Sequence, residues 1–280
     1  METAETIDDG GCRLRGMLHR PTDGGKAMGL VLCPPFGEER KSAARVLTRA
    51  ARLLCAAGFD VLRFDYRGTG ESDGCLETVS LWEWVEDIRR AMRHLSACTG
   101  VERVGLIGVR FGAALAGMVS VDDGPLPVLV CWAPVWSGQA CLEECMRHLA
   151  ATRLAADGDL CDRPVGTAAE RGIDIGCGWL CSPLRGELEQ CELPRDARAR
   201  AEVVVVLHFS ERADSAAVYR SASARLTSPD GTGRCLYVPG RPFWVTASRC
   251  DPKPLVEATV KAIASEKMAP GYRMCKAGRA

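Results

Sequence analysis

Short apolar runs bounded by turn residues alternate with amphipathic stretches over most of this chain. Short apolar runs are typical of buried parallel strands, and apolar residues that recur every three or four positions are typical of helices. This alternation predicts an α/β protein with a mostly parallel, doubly wound sheet and right-handed crossovers. The predicted strands are Arg13–His19, Gly29–Cys33, Phe59–Phe64, Val104–Ile107, Pro127–Cys131, Glu202–Leu207 and Cys235–Val238. The predicted helices are Ser42–Ala57, Ser80–Leu95, Phe111–Val119, Cys141–Leu154, Ala213–Leu226 and Pro254–Ala264.

The alternation stops between about residue 140 and residue 200, where a helical stretch is followed by polar, turn-rich segments. We interpret this region as a helical cap inserted after the predicted strand Pro127–Cys131 of a single domain that spans residues 1–280. Ser42 and Ser80 are predicted helix N-caps, and Glu83, three residues after Ser80, predicts a capping box.

Composition narrows the choice of function. Lys+Arg and Asp+Glu are equal at 36 each, so the chain lacks the basic excess that would indicate nucleic acid or an anionic membrane as a partner. The polar, acidic segment Met1–Gly11 lacks the regions of a signal peptide. No apolar run approaches the roughly 20 residues that span a bilayer. We therefore expect a cytoplasmic protein without a transmembrane segment, and we leave a homo-oligomer open.

Cysteine is unusually frequent, with 15 residues, an odd number. Secreted disulfide scaffolds are short and contain even numbers of cysteines, so we expect free thiols that pack as small apolar side chains. The pairs Cys141/Cys145 and Cys177/Cys181 have one-turn spacing. Because zinc sites more often use C-x2-C pairs, we predict no metal and no other cofactor.

The fourth predicted strand leads into Gly108-Val109-Arg110-Phe111-Gly112 and then into a helix rich in small residues. This is the spacing of a nucleophile elbow, G-x-S-x-G, in which a strained residue sits at a sharp turn from strand to helix. Arg110 occupies the position of the nucleophile. A guanidinium stays protonated at any working pH and does not attack a carbonyl carbon.

Such a site also has an oxyanion loop and a triad histidine, and only the loop is recognisable in this sequence. The loop Cys33–Arg40 follows a strand where an oxyanion loop belongs, and the backbone N–H of Phe36 or Gly37 could act there together with that of Phe111. A triad also needs a histidine after the last strand, but Phe243 and Trp244 stand there instead. We predict that these two aromatic residues line a pocket or pack under the cap.

Several motifs follow one another in a characteristic order. They are Pro35-Phe36-x-Glu38-Glu39, the block Asp65-Tyr-Arg-Gly-Thr-Gly-Glu-Ser72-Asp-Gly, Trp82-Glu-Trp84 with Asp87, Gly108-x-Arg110-x-Gly112, and Phe243-Trp244. From these motifs, residues 13–265 resemble the α/β hydrolases associated with the exosortase A system, second type, and more broadly the serine aminopeptidase-like branch of that fold. The resemblance implies an α/β-hydrolase fold, an arginine that recurs at the elbow of the relatives, and a bacterial setting in exopolysaccharide production or surface-protein sorting. For Asp65 and Ser72 we expect turn-making hydrogen bonds.

Arg110 admits three interpretations. It could form a salt bridge with Glu38 or Glu39 that closes the site, hold an anion together with the N-terminus of the following helix, or stabilise charge in a reaction. In the last case Glu39 or Glu38 would activate a water molecule.

Three functions follow from these interpretations. The first is a non-classical or inactive hydrolase homologue that binds a small anionic or acyl-bearing molecule. The second is an esterase or thioesterase that uses a Glu-activated water. The third is a non-enzymatic scaffold or interaction protein.

Overall fold

The computed structural model describes residues 1–8, 11–22, 24–25, 27–157, 172–175, 178–192, 201–211, 232–245 and 250–265. Its strands are β1 (Glu2–Ile7), β2 (Leu14–His19), β3 (Gly29–Cys33), β4 (Asp60–Phe64), β5 (Val104–Val109), β6 (Leu129–Trp132), β7 (Ile173–Asp174), β8 (Trp179–Leu180), β9 (Val203–Ser210) and β10 (Thr232–Pro239). Its helices are α1 (Glu38–Ala56), α2 (Leu81–Thr99), α3 (Phe111–Asp122), α4 (Gly138–Asp157), α5 (Leu184–Gln190) and α6 (Lys253–Ser265).

Eight of these strands form one sheet in the order β1-β2-β4-β3-β5-β6-β9-β10. In this sheet β4, β3, β5, β6, β9 and β10 run parallel, and β2 pairs antiparallel with both β1 and β4. The short strands β7 and β8 form a separate antiparallel pair. Helices cover both faces: in β5, Leu106 packs in the apolar layer that contains residues of α2 and α3, and Ile107 packs in the layer with α1 and α6. Adjacent residues of a strand point to opposite faces, so a strand buried on both sides reads as an unbroken apolar run. The predicted parallel α/β class is confirmed.

The edge strand β1 was missed by the sequence interpretation of Met1–Gly11 as a polar segment. Its side chains alternate between exposed and less exposed positions, and within it only Ile7 is fully buried. Edge strands with charged residues carry little apolar signal because only one face is covered. The pairing with β2, which extends from Glu2↔His19 to Ile7↔Leu14, holds the strand in place.

The start of α1 corrects the prediction that Ser42 is its N-cap. The helix begins at Glu38, and its N-cap is Gly37 with φ 66° and no side-chain cap. Glycine tolerates this positive φ, which most other residues avoid. Burial of Glu39 in the first turn accounts for the longer helix, and the local sequence does not indicate that tertiary contact.

The start of α2 confirms the predicted capping box. Glu83 N donates to Ser80 Oγ at 3.2 Å, and Ser80 N donates to Glu83 Oε2 at 2.9 Å. Two amides that the helix itself leaves without a partner are therefore satisfied.

Ser80→Ala should lower the free energy of unfolding by about 1 kcal/mol, because the cap acceptor is lost. Ser42→Ala serves as the matched control and should not destabilise the protein, because Ser42 lies inside α1 and alanine is the better helix former. Urea unfolding followed by far-ultraviolet circular dichroism measures both. Equal losses in the two variants would contradict the assigned helix starts.

Between β6 and β9 the chain forms α4, β7, β8 and α5, of which α4 and α5 pack against each other and α4 also packs against α1. The helical cap over residues 140–200 and the single domain over 1–280 remain predictions. The predicted helix Ala213–Leu226 lies outside the described residues. In the part of the chain that the structure describes, none of the helices combines the length and apolar character that crossing a membrane requires.

Candidate functional site

The turn between β5 and α3 has the backbone of a nucleophile elbow. Arg110 joins the two elements with φ 56° and ψ −123°, a strained conformation for a residue with a Cβ. A Cβ at Gly108 would lie 2.3 Å from Ala113 Cα, and one at Gly112 would lie 2.4 Å from the Cys33 carbonyl oxygen. Glycine is thus required on both sides of Arg110 for the close approach of strand, helix and neighbouring loop.

The Arg110 guanidinium is enclosed by protein groups. Its Nε lies 3.2 and 3.3 Å from the two carboxylate oxygens of Glu39, and its Nη1 donates to the Ala133 carbonyl oxygen at 2.9 Å. Its Nη2 donates to Glu144 of α4. The ring of Trp244 lies against the guanidinium, with its centroid 4.5 Å from Cζ. Only 4% of the arginine side chain is exposed, so these contacts replace water around the charge.

Two of the roles expected from the sequence, anion binding and stabilisation of charge in a reaction, require Arg110 to act on a ligand. The charges of this cluster favour neither role. Two carboxylates, from Glu39 and Glu144, surround one guanidinium, so the cluster is negative when both are ionised. Burial raises the pKa of Glu39, and the charge of Arg110 and the hydrogen bond from it act in the opposite direction. An anion that approached Arg110 would compete with both carboxylates.

Glu144 was not identified from the sequence. It lies 34 residues from Arg110 in the chain, and α4 brings it to the elbow. Ala133, whose carbonyl oxygen accepts from Arg110, has φ 45° and is the other non-glycine residue with positive φ among the described residues. Neither residue belongs to a motif, so only the fold reveals their part in the site.

The two candidate bases are in different environments. Glu39 is 2% exposed at its side chain and contacts Arg110, as one of the sequence interpretations proposed. Glu38 is 24% exposed, and its Oε1 accepts from Lys41 Nζ at 2.6 Å. Glu38 is therefore part of a surface ion pair on the first turn of α1.

The predicted oxyanion loop packs against the elbow. The Phe36 ring lies 5.4 Å from Trp84 and 6.0 Å from Phe111, centroid to centroid, so it serves as core of the sheet's α2–α3 side. Gly37 takes a positive φ, and a Cβ there would lie 3.3 Å from Cys145 Sγ of α4. The first turns of α1 and α3 and the middle of α4 thus meet at this loop.

The aromatic pair after β10 occupies the end of the sheet where a triad would have its histidine. Phe243 is fully buried against Phe209 at 5.7 Å, and its ring meets that of Trp244 edge-on at 5.1 Å. Trp244 stacks on the Arg110 guanidinium, and Phe243 packs between Trp244 and Phe209. That the pair lines a pocket or packs under a cap stays a prediction.

Histidine positions also bear on catalysis. Burial first, and then the positive charge of Arg110, lower the pKa of His148, which follows Glu144 by one turn on α4. Burial likewise lowers the pKa of His208 in β9. His19 and His94 lie next to Glu2 and Glu5.

The loop after β4 has the turn-making contacts expected for Asp65 and Ser72. Ser72 Oγ donates to the Asp65 carbonyl oxygen at 2.7 Å and accepts from Arg15 N at 2.9 Å. The Asp65 carboxylate accepts from Arg40 Nη1 at 3.0 Å. Gly70 has φ 57°, a conformation that favours glycine, and a Cβ there would lie 2.0 Å from that carboxylate.

Part of the sequence matches a known protein family. The model of a family described as X-Pro dipeptidyl-peptidase (S15 family) matches residues 9–154, slightly more than half of the chain. No curated protein matches the chain.

Solved structures agree in fold. The hypothetical protein PA2218 from Pseudomonas aeruginosa superposes with a TM-score of 0.65 at 20% identity, over 95% of this chain and 93% of that one. Est1E from Butyrivibrio proteoclasticus with bound ferulic acid superposes with a TM-score of 0.62 at 17% identity, over 94% of this chain and 97% of that one. Proline iminopeptidase from Mycobacterium smegmatis superposes with a TM-score of 0.60 at 14% identity, over 94% of this chain and 98% of that one. At these identities the likeness establishes the α/β-hydrolase fold and leaves activity open.

Proposed function

We propose that this chain, which belongs to the X-Pro dipeptidyl-peptidase (S15) family, is a hydrolase homologue that does not hydrolyse substrates and whose elbow acts as a structural ion-pair cluster. The observation that supports this proposal is the enclosure of the Arg110 guanidinium by Glu39, Glu144, the Ala133 carbonyl oxygen and the Trp244 ring. A residue with these contacts has no free electron pair for attack and no free charge for a ligand.

The ligand expected from the sequence, a small anionic or acyl-bearing molecule at the elbow, is less consistent with this site. An anion would have to displace at least one carboxylate from Arg110 and then lie beside it. Like charges at such distances repel strongly in a buried environment. The proposal therefore favours a protein that works through binding at its surface rather than through chemistry at its elbow.

We expect no turnover above the blank from the wild-type protein. A suitable panel contains X-Pro dipeptidyl amides, aminoacyl amides, hydroxycinnamate esters and short-chain thioesters, which cover the family and the fold neighbours. Arg110→Ser should stay at the blank as well, because aromatic residues occupy the position after β10 where a triad has its histidine. Circular dichroism and thermal unfolding establish that both samples are folded.

Turnover by the wild-type protein would contradict the proposal. Turnover in Arg110→Ser alone would mean that the elbow keeps a working base, for which His148 on α4 is the first residue to test by His148→Gln.

A second candidate rests on one observation, the raised pKa of the buried Glu39 carboxyl. A carboxylate of higher basicity is a better general base, and Arg110 would then stabilise the developing negative charge. This function predicts turnover in the wild type that disappears in Glu39→Gln. The exposed neighbour offers the control, since Glu38→Gln should leave the rate unchanged.

The biological setting that we propose is the one implied by the motifs, bacterial exopolysaccharide production or surface-protein sorting by an exosortase system. It rests on the Gly108-x-Arg110-x-Gly112 elbow together with the loop from Asp65 to Gly74. Deletion of the gene should then alter the amount or composition of exopolysaccharide, or the display of sorted proteins, and complementation should restore it.

A further inference from the structure

Three side chains that can each bind a metal converge at the edge of the sheet, on the side of α2. Glu5 projects from β1, and His94 and Cys98 lie one turn apart on α2. His94 Nε2 lies 3.0 Å from Glu5 Oε2 and 3.3 Å from Cys98 Sγ, and all three ligand atoms lie within 4.8 Å of one another. None of the three residues is one of the groups that enclose Arg110, and neither the proposed function nor the sequence motifs account for the cluster.

In the metal-free cluster, His94 Nε2 cannot form a hydrogen bond with Glu5 and Cys98 at the same time. A neutral imidazole nitrogen either carries one proton or accepts one. When His94 Nε2 carries the proton, it donates to Glu5 and does not accept from the Cys98 thiol. When the nitrogen is unprotonated, it can accept from the thiol, but the contact with the Glu5 carboxylate is then between two acceptors.

The spacing is close to that of a tetrahedral zinc ion. With Zn–N and Zn–O of about 2.0 Å and Zn–S of about 2.3 Å, tetrahedral angles place N and O about 3.3 Å apart and N and S about 3.5 Å apart. The observed separations are 3.0 and 3.3 Å. The two distances from His94 Nε2 are therefore slightly shorter than those around a zinc ion, and the Glu5 oxygen and Cys98 Sγ lie within 4.8 Å of each other.

We propose that Glu5, His94 and Cys98 bind a zinc(II) ion, with water as the fourth ligand. The donor set of one oxygen, one nitrogen and one sulfur atom suits zinc, whereas magnesium and calcium prefer oxygen ligands alone. Binding replaces the thiol proton, which is released to solvent, and His94 takes the tautomer with its proton on Nδ1. One carboxylate, one thiolate and one neutral imidazole balance the two positive charges of the ion.

Such an ion would join the edge strand β1 to α2. The strand is otherwise held by its antiparallel pairing with β2, by burial of Ile7 and by ion pairs of Glu2. Binding to the folded protein alone stabilises it by mass action, so zinc occupancy would set how firmly the N-terminal strand is attached.

Cobalt(II) titration of the purified, reduced, chelator-treated protein is the direct test. We expect one cobalt ion per chain with a thiolate-to-cobalt charge-transfer band and the visible absorption of tetrahedral cobalt, both removed by stoichiometric zinc. In Cys98→Ser the charge-transfer band should be lost. In Glu5→Gln and His94→Gln the affinity for zinc should fall by at least about tenfold.

A matched control separates this site from the other thiols of the chain. Cys75 is also exposed, and its Sγ lies 2.9 Å from a carboxylate oxygen of Glu77. Among the described residues, no histidine forms a hydrogen bond with Cys75. Cys75→Ser should leave cobalt and zinc binding unchanged.

A second readout is thermal unfolding. Zinc should raise the unfolding temperature of the wild type and of Cys75→Ser, and it should not raise that of Cys98→Ser. A charge-transfer band of full amplitude in Cys98→Ser, or equal loss of binding in Cys75→Ser, would overturn the proposal.

Discussion

Arg110→Met is expected to lower the free energy of unfolding by about 3–5 kcal/mol, the usual loss when one partner of a buried ion pair is removed. The backbone strain at φ 56° is the same for both side chains, and methionine preserves much of the apolar contact with Trp244. What changes is the Glu39 carboxylate, which stays buried without its guanidinium. Urea unfolding monitored by circular dichroism measures the difference.

The loss of unfolding free energy in Arg110→Met should be larger at high pH than at low pH. Burial already raises the pKa of Glu39 in the wild type, and Arg110 opposes the rise. Without Arg110, the pKa of the folded state moves further above that of the unfolded state, so the folded variant takes up a proton more readily. The loss of unfolding free energy in Arg110→Met is then complete above the folded-state pKa of Glu39, and it shrinks as the pH falls through that pKa. We expect a larger deficit at about pH 8 than at about pH 5.

Two controls accompany this prediction. The double variant Arg110→Met/Glu39→Leu should recover a large part of the loss, because neither a cation nor an anion is then left buried. Glu38→Ala, one residue away on the same turn of α1, should cost about 1 kcal/mol or less, since Glu38 belongs to a surface ion pair. A small, pH-independent loss in Arg110→Met would show that the guanidinium does not neutralise Glu39.

Asp87→Ala is expected to produce a loss of similar size, about 3–5 kcal/mol. The Asp87 side chain is fully buried in α2, where it accepts from the backbone N of Arg67 at 2.8 Å, from Arg67 Nε at 2.9 Å and from Arg67 Nη2 at 2.7 Å. Arg90 Nη1 lies 3.5 Å away. Without this carboxylate, the Arg67 backbone amide loses its acceptor, and so do Nε and Nη2 of the Arg67 guanidinium, which is only 15% exposed. Among the described residues, only Nη1 keeps a partner, Glu83.

The position of Asp87 gives the change a local effect as well. Arg67 begins the loop that contains Ser72, and its carbonyl oxygen accepts from Trp84 Nε1 at 3.1 Å. We therefore expect faster amide hydrogen exchange in this loop in Asp87→Ala. Arg89, in the middle of α2, pairs with Asp122 and Asp123 at the end of α3, and Asp122→Ala should change the unfolding free energy by about 1 kcal/mol or less. Equal effects of the two alanine variants would contradict the assigned role of Asp87.

The sequence by itself determined the parallel α/β class and the succession of most strands and helices along the chain, because strands buried on both faces read as continuous apolar runs and α2 has a complete local capping signal. It also determined that the elbow lacks a nucleophile, since the flanking glycines define the turn through close backbone contacts that no other residue allows. It could not determine the start of α1 or the presence of β1. These depend on burial of Glu39 and on pairing with β2, which are contacts between distant parts of the chain.

The contacts of the Arg110 guanidinium became visible only in the tertiary structure. Pairing with Glu39 was one expectation among several, whereas Glu144, Ala133 and Trp244 reach the guanidinium from three other elements. The cluster of Glu5, His94 and Cys98 likewise joins a strand to a helix 89 residues further along the chain. Local pattern reports which face of an element is apolar, but a buried charge or a metal site depends on which side chains of separate elements meet, and that is set by how the elements pack.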